Sequence, residues 1–167
     1  MKDLEVKIDL SPPSSTNYWT AHKMIRATKP RKGDVLLDSG SGEGDVLFVA
    51  AEPQYGFQNI WGIECRGYLV EKSRKEAESR GLGKIIKILH KDILAVGFSD
   101  LKPKPTIVTL NFTGGGLGAL RPKLEEELEL GTRVVSFSRE VPGWRHEEAY
   151  KPEYLYERFF LYEIGKT

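Results

Sequence analysis

The sequence predicts an α/β fold, a mostly parallel sheet with helices on both faces and one antiparallel strand near its C-terminus. Three observations predict it. Short apolar runs alternate with segments of helical length along the chain. A glycine-rich turn, Asp38-Ser39-Gly40-Ser41-Gly42-Glu43-Gly44, joins the first of those runs to the helix behind it. The closing segment, Tyr154 to Ile164, is rich in aromatic residues and breaks the alternation, as an antiparallel edge does.

The elements follow in order. Ser11-Pro12-Pro13-Ser14-Ser15 is incompatible with regular helix and reads as an extended lead-in. Thr16 or Asn17 caps a helix running to about Thr28, stopped by Pro30. After the turn at Lys32-Gly33-Asp34 comes a buried strand, Val35 to Leu37. Val46 to Ala51 opens a helix that Pro53 closes. Ile60 to Ile63 is a strand, and Gly67 to Arg80 is a polar amphipathic helix ended by Gly81. Ile85 to Leu89 and Thr106 to Leu110 are strands, Leu117 to Leu128 a helix, and Thr132 to Ser136 the fifth strand. Tyr154 to Ile164 is expected as the last strand of a hairpin.

Size and composition bound the function. At 167 residues the expectation is a single domain over 1–167, with a lead-in and helix over 1–30 and the sheet core over 31–167. A formal net charge of +1 builds in no long-range attraction to nucleic acid or to an anionic membrane. A local basic stretch remains, His22, Lys23, Arg26, Lys29, Arg31 and Lys32, which reads first as a solvated helix face and loop. One cysteine, Cys65, allows neither an internal disulfide nor a multi-cysteine metal site. The first residues are charged and no apolar run approaches membrane-spanning length, so a soluble, cytoplasmic protein without membrane insertion is expected.

The chemistry is concentrated in the first crossover. Glycines let the backbone turn sharply and approach a ligand, and the following helix offers free N–H groups. Alone, such a loop is equally a plain tight turn. Two acids sharpen it. Glu64 ends the second strand, where a carboxylate can accept from two ribose hydroxyls; its other reading is an exposed surface acid that contributes little to folding. Asp92 follows the third strand, where it can meet an adenine amino group or simply cap a turn. Loop, Glu64 and Asp92 sit at three successive strand ends, the edge where ligands of such sheets bind. The spacing is G-x-G-x-G, unlike the G-x-G-x-x-G of dinucleotide folds, and no Gly-Lys-Ser/Thr follows, so no P-loop is present. Asp38 suits the ammonium of a methionine moiety better than a pyrophosphate. S-adenosyl-L-methionine is the expected cofactor.

The loop resembles the Asp-Leu-Gly-Cys-Gly-Asp-Gly loop of class I methyltransferases, which implies their Rossmann-like seven-stranded fold. Leu120-Arg121-Pro122-Lys123-Leu124-Glu125-Glu126-Glu127-Leu128, then Gly131-Thr132-Arg133-Val134-Val135-Ser136 and Pro142-Gly143-Trp144, resembles the small archaeal protein-lysine N-methyltransferases, relatives of the ATP synthase c-subunit lysine methyltransferases. Leu161-Tyr162-Glu163-Ile164-Gly165 is similar to that family's final strand. The resemblance covers about residues 12–165. It implies a lysine acceptor on a protein, and cofactor contacts from Thr16, Asp38, Gly40, Ser41, Gly42, Gly44, Glu64, Cys65, Asp92, Ile93 and Asn111.

The chain departs from that pattern at Ser39, which replaces a larger apolar residue, at Ser138, and at Asn111-Phe112-Thr113-Gly114-Gly115-Gly116, expected to widen or loosen the acceptor site. A lysine must be neutral to attack, and an apolar aromatic channel disfavours its ammonium. Tyr18, Trp19, Phe112 and Trp144 are the candidates to line it, each equally readable as a core aromatic. Phe112 is expected to wall the acceptor and not the adenosine. His90 reads as a strand residue and His146 as an exposed one; no catalytic base is assigned. A small site without an inserted lid favours a macromolecule that supplies the missing wall. Protein is the preferred substrate and RNA the alternative, with an inactive binding module as a third reading.

Overall fold

A computed structural model describes Leu10 and residues 15–148 and 157–166. The helices are α1 (Tyr18–Ala27), α2 (Asp45–Ala50), α3 (Gly67–Ser79) and α4 (Gly114–Glu127). The strands are β1 (Val35–Asp38), β2 (Asn59–Glu64), β3 (Ile86–His90), β4 (Ile107–Leu110), β5 (Arg133–Phe137), β6 (Glu147–Glu148) and β7 (Phe159–Glu163). Among the described residues they form one sheet in the order β3-β2-β1-β4-β5-β7-β6. β1 to β5 pair in parallel, whereas β7 runs antiparallel to both β5 and the two-residue β6. The expected hairpin strand is therefore present as β7; residues 154–156 of that expectation, like residues 11–14 of the lead-in, lie outside the described ones.

The apolar runs are continuous because both faces of the parallel strands are covered. In β1, Leu36 points into a layer with Ala21 and Ile25 of α1, Leu47 of α2 and Val70 of α3. Its neighbour Leu37 points the other way, into a layer with Leu117, Leu120 and Leu124 of α4. Strand alternation thus assigns each residue to one layer. Asn17 is the cap of α1: its Oδ1 accepts from the Thr20 N–H at 2.9 Å. Arg133 fixes the bottom of the sheet: its Nη2 donates to both carboxylate oxygens of Asp34, each at 2.6 Å.

One element begins earlier than its sequence suggests. α4 starts at Gly114, not Leu117, because Thr113 caps it by accepting from the Gly116 N–H at 3.0 Å. Within the glycine run, Gly116 makes a close packing contact and opens no space. A Cβ on Gly116 would lie 2.4 Å from the Leu10 carbonyl oxygen, which also accepts from the Thr113 N–H at 3.0 Å. The run lets the N-terminal backbone dock on α4. Gly115, in contrast, has open space around it. Gly116→Ala should therefore lower stability by about 1–3 kcal/mol through overpacking, while Gly115→Ala should raise it by about 0.5–1 kcal/mol by reducing unfolded-state freedom. Paired thermal melts read both signs.

Candidate active site

A cleft of about 590 Å³ opens at the carboxyl ends of β1, β2 and β4 and beside the turn after β3. That lies within the roughly 300–1,000 Å³ of small-molecule sites. The strands bring the predicted residues to it from positions far apart in sequence. β1 delivers Asp38 and the loop residues Gly40, Ser41 and Gly42; β2 delivers Glu64 and Cys65; the turn after β3 delivers Asp92 and Ile93; β4 delivers Asn111 and Phe112; and Thr16 closes the rim from the N-terminal side. Asn111 Nδ2 reaches Thr16 Oγ1 at 3.4 Å, joining the two sides.

Asp38 is buried, and its carboxylate accepts from the Thr109 hydroxyl at 2.8 Å. Burial first, with the negative charges of Glu64 and Asp45 adding to it, pushes its carboxyl up to about 7 against the opposing Thr109 bond. No cation pairs with it among the described residues. Beside this uncompensated charge, Ser41 places a buried Oγ without a hydrogen-bond partner. A ligand carrying a cation and acceptors answers both, which an adenosine cofactor with a charged methionine moiety does.

Glu64 is not the exposed surface acid of its other reading. It is buried and folds back on the chain. Oε2 accepts from the Gly42 N–H at 3.0 Å and Oε1 from the Arg66 N–H at 2.9 Å. The acid therefore braces the glycine loop against the start of α3, and Oε2 keeps a second lone pair for a ligand hydroxyl. Asp92 fills its reading as a turn cap, Oδ1 accepting from the Leu94 N–H at 2.9 Å, and the residue also lines the cleft.

Other predicted residues lie elsewhere. Gly44 is outside the cleft; it takes a left-handed φ of 96° at the start of α2, with Phe48 packed where a side chain would be. Trp144 is a core residue: its Nε1–H donates to Glu125 at 2.6 Å and its ring meets Tyr162 edge-on. Tyr18 stands outside the cleft in a neighbouring groove, and Trp19 is 71% exposed. Phe112 does line the cleft, yet its ring lies so close to Gly40 that a Cβ there would meet it at 3.1 Å. It walls the cofactor loop as well as any acceptor, so its truncation should disturb both. His146 is half-buried against Phe160 rather than exposed. His90 ends β3, and its Nε2 lies 3.1 Å from the Cys65 carbonyl oxygen.

Several lining residues escaped the sequence reading. Asp45 sits at the first turn of α2, where its carboxylate accepts the Thr16 N–H; burial raises its carboxyl. Arg66, Tyr68 and Lys91 follow the ends of β2 and β3, and that position was the available signal. Ser39 is fully accommodated: its hydroxyl donates to the Thr109 carbonyl oxygen at 2.8 Å.

The strand order, the glycine loop and the strand-end acids define a class I methyltransferase. The sequence profile of the ANTKMT methyltransferase domain matches residues 38–148, and the chain belongs to that family. A protein-lysine N-methyltransferase of Saccharolobus islandicus is 29% identical over 146 residues, 86% of this chain and 88% of that protein. The ATP synthase c-subunit lysine N-methyltransferase of Caenorhabditis elegans is 33% identical over 134 residues, 78% of this chain but 66% of that one. Among solved structures, an RNA methyltransferase from Salinibacter ruber in complex with S-adenosyl-L-homocysteine superposes with a TM-score of 0.79 and 26% identity, covering 90% of this chain and 94% of that one.

Proposed function

We propose that the chain is an S-adenosyl-L-methionine-dependent protein-lysine N-methyltransferase, acting as one domain in the cytoplasm. The observation that carries the cofactor reading is Asp38, a buried carboxylate at the head of the glycine loop with no cation of its own among the described residues. The archaeal relative, matched over most of both chains, supports the lysine acceptor. No helix among the described residues is long and apolar enough to cross a membrane.

In this reading Asp38 faces the ammonium of the methionine moiety, Glu64 Oε2 a ribose hydroxyl, and Asp92 with Ile93 the adenine. The cofactor supplies a methyl group on a cationic sulfur. The chain supplies alignment and dryness, which are the main contributions to an in-line displacement. Leu10, Met24 and Phe112 are among the apolar residues of the cleft wall and disfavour a charged amine beside them. Thr16 and Asn111 are the polar groups at the same rim.

RNA is the second reading, supported by the likeness to the Salinibacter RNA methyltransferase. Against it, part of the basic stretch is engaged within the protein. His22 bonds the Tyr55 hydroxyl and lies 3.4 Å from Glu52, and Lys23 pairs with Glu157. The deciding experiment is incubation with methyl-labelled cofactor and lysate, followed by complete digestion and mass spectrometry. Methyl-lysine is expected; label confined to nucleosides overturns the proposal. On the labelled protein the rate should keep rising from about pH 8 to 9, above the range in which Asp38 titrates, because the neutral fraction of a lysine with reference pKa about 10.4 is still growing. A rate flat across that range contradicts an amine acceptor.

A further inference from the structure

Beside the cofactor cleft lies a second groove of about 350 Å³, between the start of α1 and the end of α2, and Asp45 lines both. We propose that this groove is a docking subsite for a basic side chain, lysine or arginine, that neighbours the acceptor lysine in the protein substrate. The inference rests on the lysine-methyltransferase reading and adds to it a rule for choosing among lysines.

Charge complementarity carries it. The groove holds two carboxylates, Asp45 and Glu52, and one cation, Arg80. Arg80 is already committed: its Nε donates to Glu76 at 2.7 Å, and its guanidinium stacks on the Phe48 ring at 4.4 Å from the centroid. Glu52 is met by neutral donors, the Gln54 amide at 2.7 Å and the Tyr18 hydroxyl, with His22 Nε2 at 3.4 Å. Asp45 accepts a backbone N–H from Thr16 and has no ion pair among the described residues. Lys72, whose charge also reaches Asp45, pairs with Glu43 at 2.7 Å.

The remaining surface suits the aliphatic stem and flat head of such a cation. Tyr18, half exposed, lines the groove with Phe48, and Trp19, outside the groove and largely exposed, meets the Tyr18 ring edge-on at 5.2 Å. Cations gain by approaching an aromatic face within about 6 Å, and arginine does so most often. Arg80 on Phe48 displays this contact within the groove itself. Because Asp45 is the wall common to groove and cleft, a cation seated here holds its chain beside the methyl-transfer site.

The test separates this subsite from the activity on which it rests. A peptide containing arginine and no lysine is titrated against the protein saturated with S-adenosyl-L-homocysteine, beside the same peptide with citrulline in place of arginine. The arginine peptide should bind at least tenfold more tightly. That preference should vanish in Glu52→Gln and weaken in Tyr18→Ala, both of which should keep the melting temperature and the affinity for S-adenosyl-L-homocysteine. Equal binding of the two peptides, or an arginine preference undiminished in Glu52→Gln, overturns the subsite. Because no methyl is transferred, failure of the lysine-acceptor reading leaves this measurement standing. With lysine peptides, the change from arginine to citrulline should raise KM about tenfold and leave kcat within about twofold; a change in kcat alone would contradict docking.

Discussion

Glu64→Ala should lower the melting temperature of the cofactor-free protein by about 5–10 °C, a larger effect than an exposed acid would give. The Glu64 carboxylate accepts the Gly42 and Arg66 N–H groups while itself almost fully buried. Hydrogen bonds to a charged acceptor contribute about 1.5–3 kcal/mol each, and a buried donor left without a partner carries a comparable penalty. Removing the carboxylate also relieves the cost of burying its charge, so the net loss should be about 2–4 kcal/mol. For a chain of this length each kcal/mol moves the midpoint by about 2–4 °C. Cofactor affinity should fall further than stability alone explains, by about 10- to 100-fold, because the loop loses its brace and the ribose its acceptor. Glu64→Gln should fall between, since the amide oxygen serves one of the two N–H groups. Thermal melts beside calorimetric titrations measure both quantities. An unchanged melting temperature would show that the loop holds its shape without the acid.

This second role of Glu64 also marks where sequence reasoning ends. The sheet was legible because parallel strands covered on both faces must be apolar throughout, and Val35-Leu36-Leu37 and Ile107-Val108 are. The site edge was legible because a parallel sheet collects its carboxyl ends on one side, so Asp38, Glu64 and Asp92 had to converge there. Side-chain direction was not. A glutamate at a strand end reads the same whether it points to a ligand or folds back onto Gly42. Trp144 likewise carries no signal distinguishing a channel wall from a ring anchored on Glu125. Trp19 was readable: the buried stripe of α1, Thr20, Ala21, Met24 and Ile25, leaves it on the opposite side of the helix. The early start of α4 was hidden because three glycines have low helix propensity, and the Thr113 cap with Leu10 docking overrides it.

Asp38→Asn should reverse the usual relation between stability and binding, and do so in a pH-dependent way. The folded chain holds the Asp38 proton up to about pH 7, whereas the unfolded chain releases it near 3.9. Between those values the folded state binds more protons, so its stability falls as pH rises from about 4 to 7 and stays low above. Asparagine has no charge to bury and keeps an oxygen for the Thr109 hydroxyl. The cofactor-free variant should therefore melt several degrees above the parent at pH 8 and match it near pH 4. Binding should show the opposite preference. At pH 8 the ionised carboxylate faces the cationic end of the cofactor, and the variant should bind at least tenfold more weakly. At pH 5.5 Asp38 is itself protonated before binding, so the gap should narrow to a few-fold. Parent binding below pH 7 should release a proton, visible as a dependence of the calorimetric enthalpy on buffer ionisation, and the variant should lose it. A ratio of affinities that is the same at pH 5.5 and pH 8 would place the cationic end of the cofactor away from Asp38.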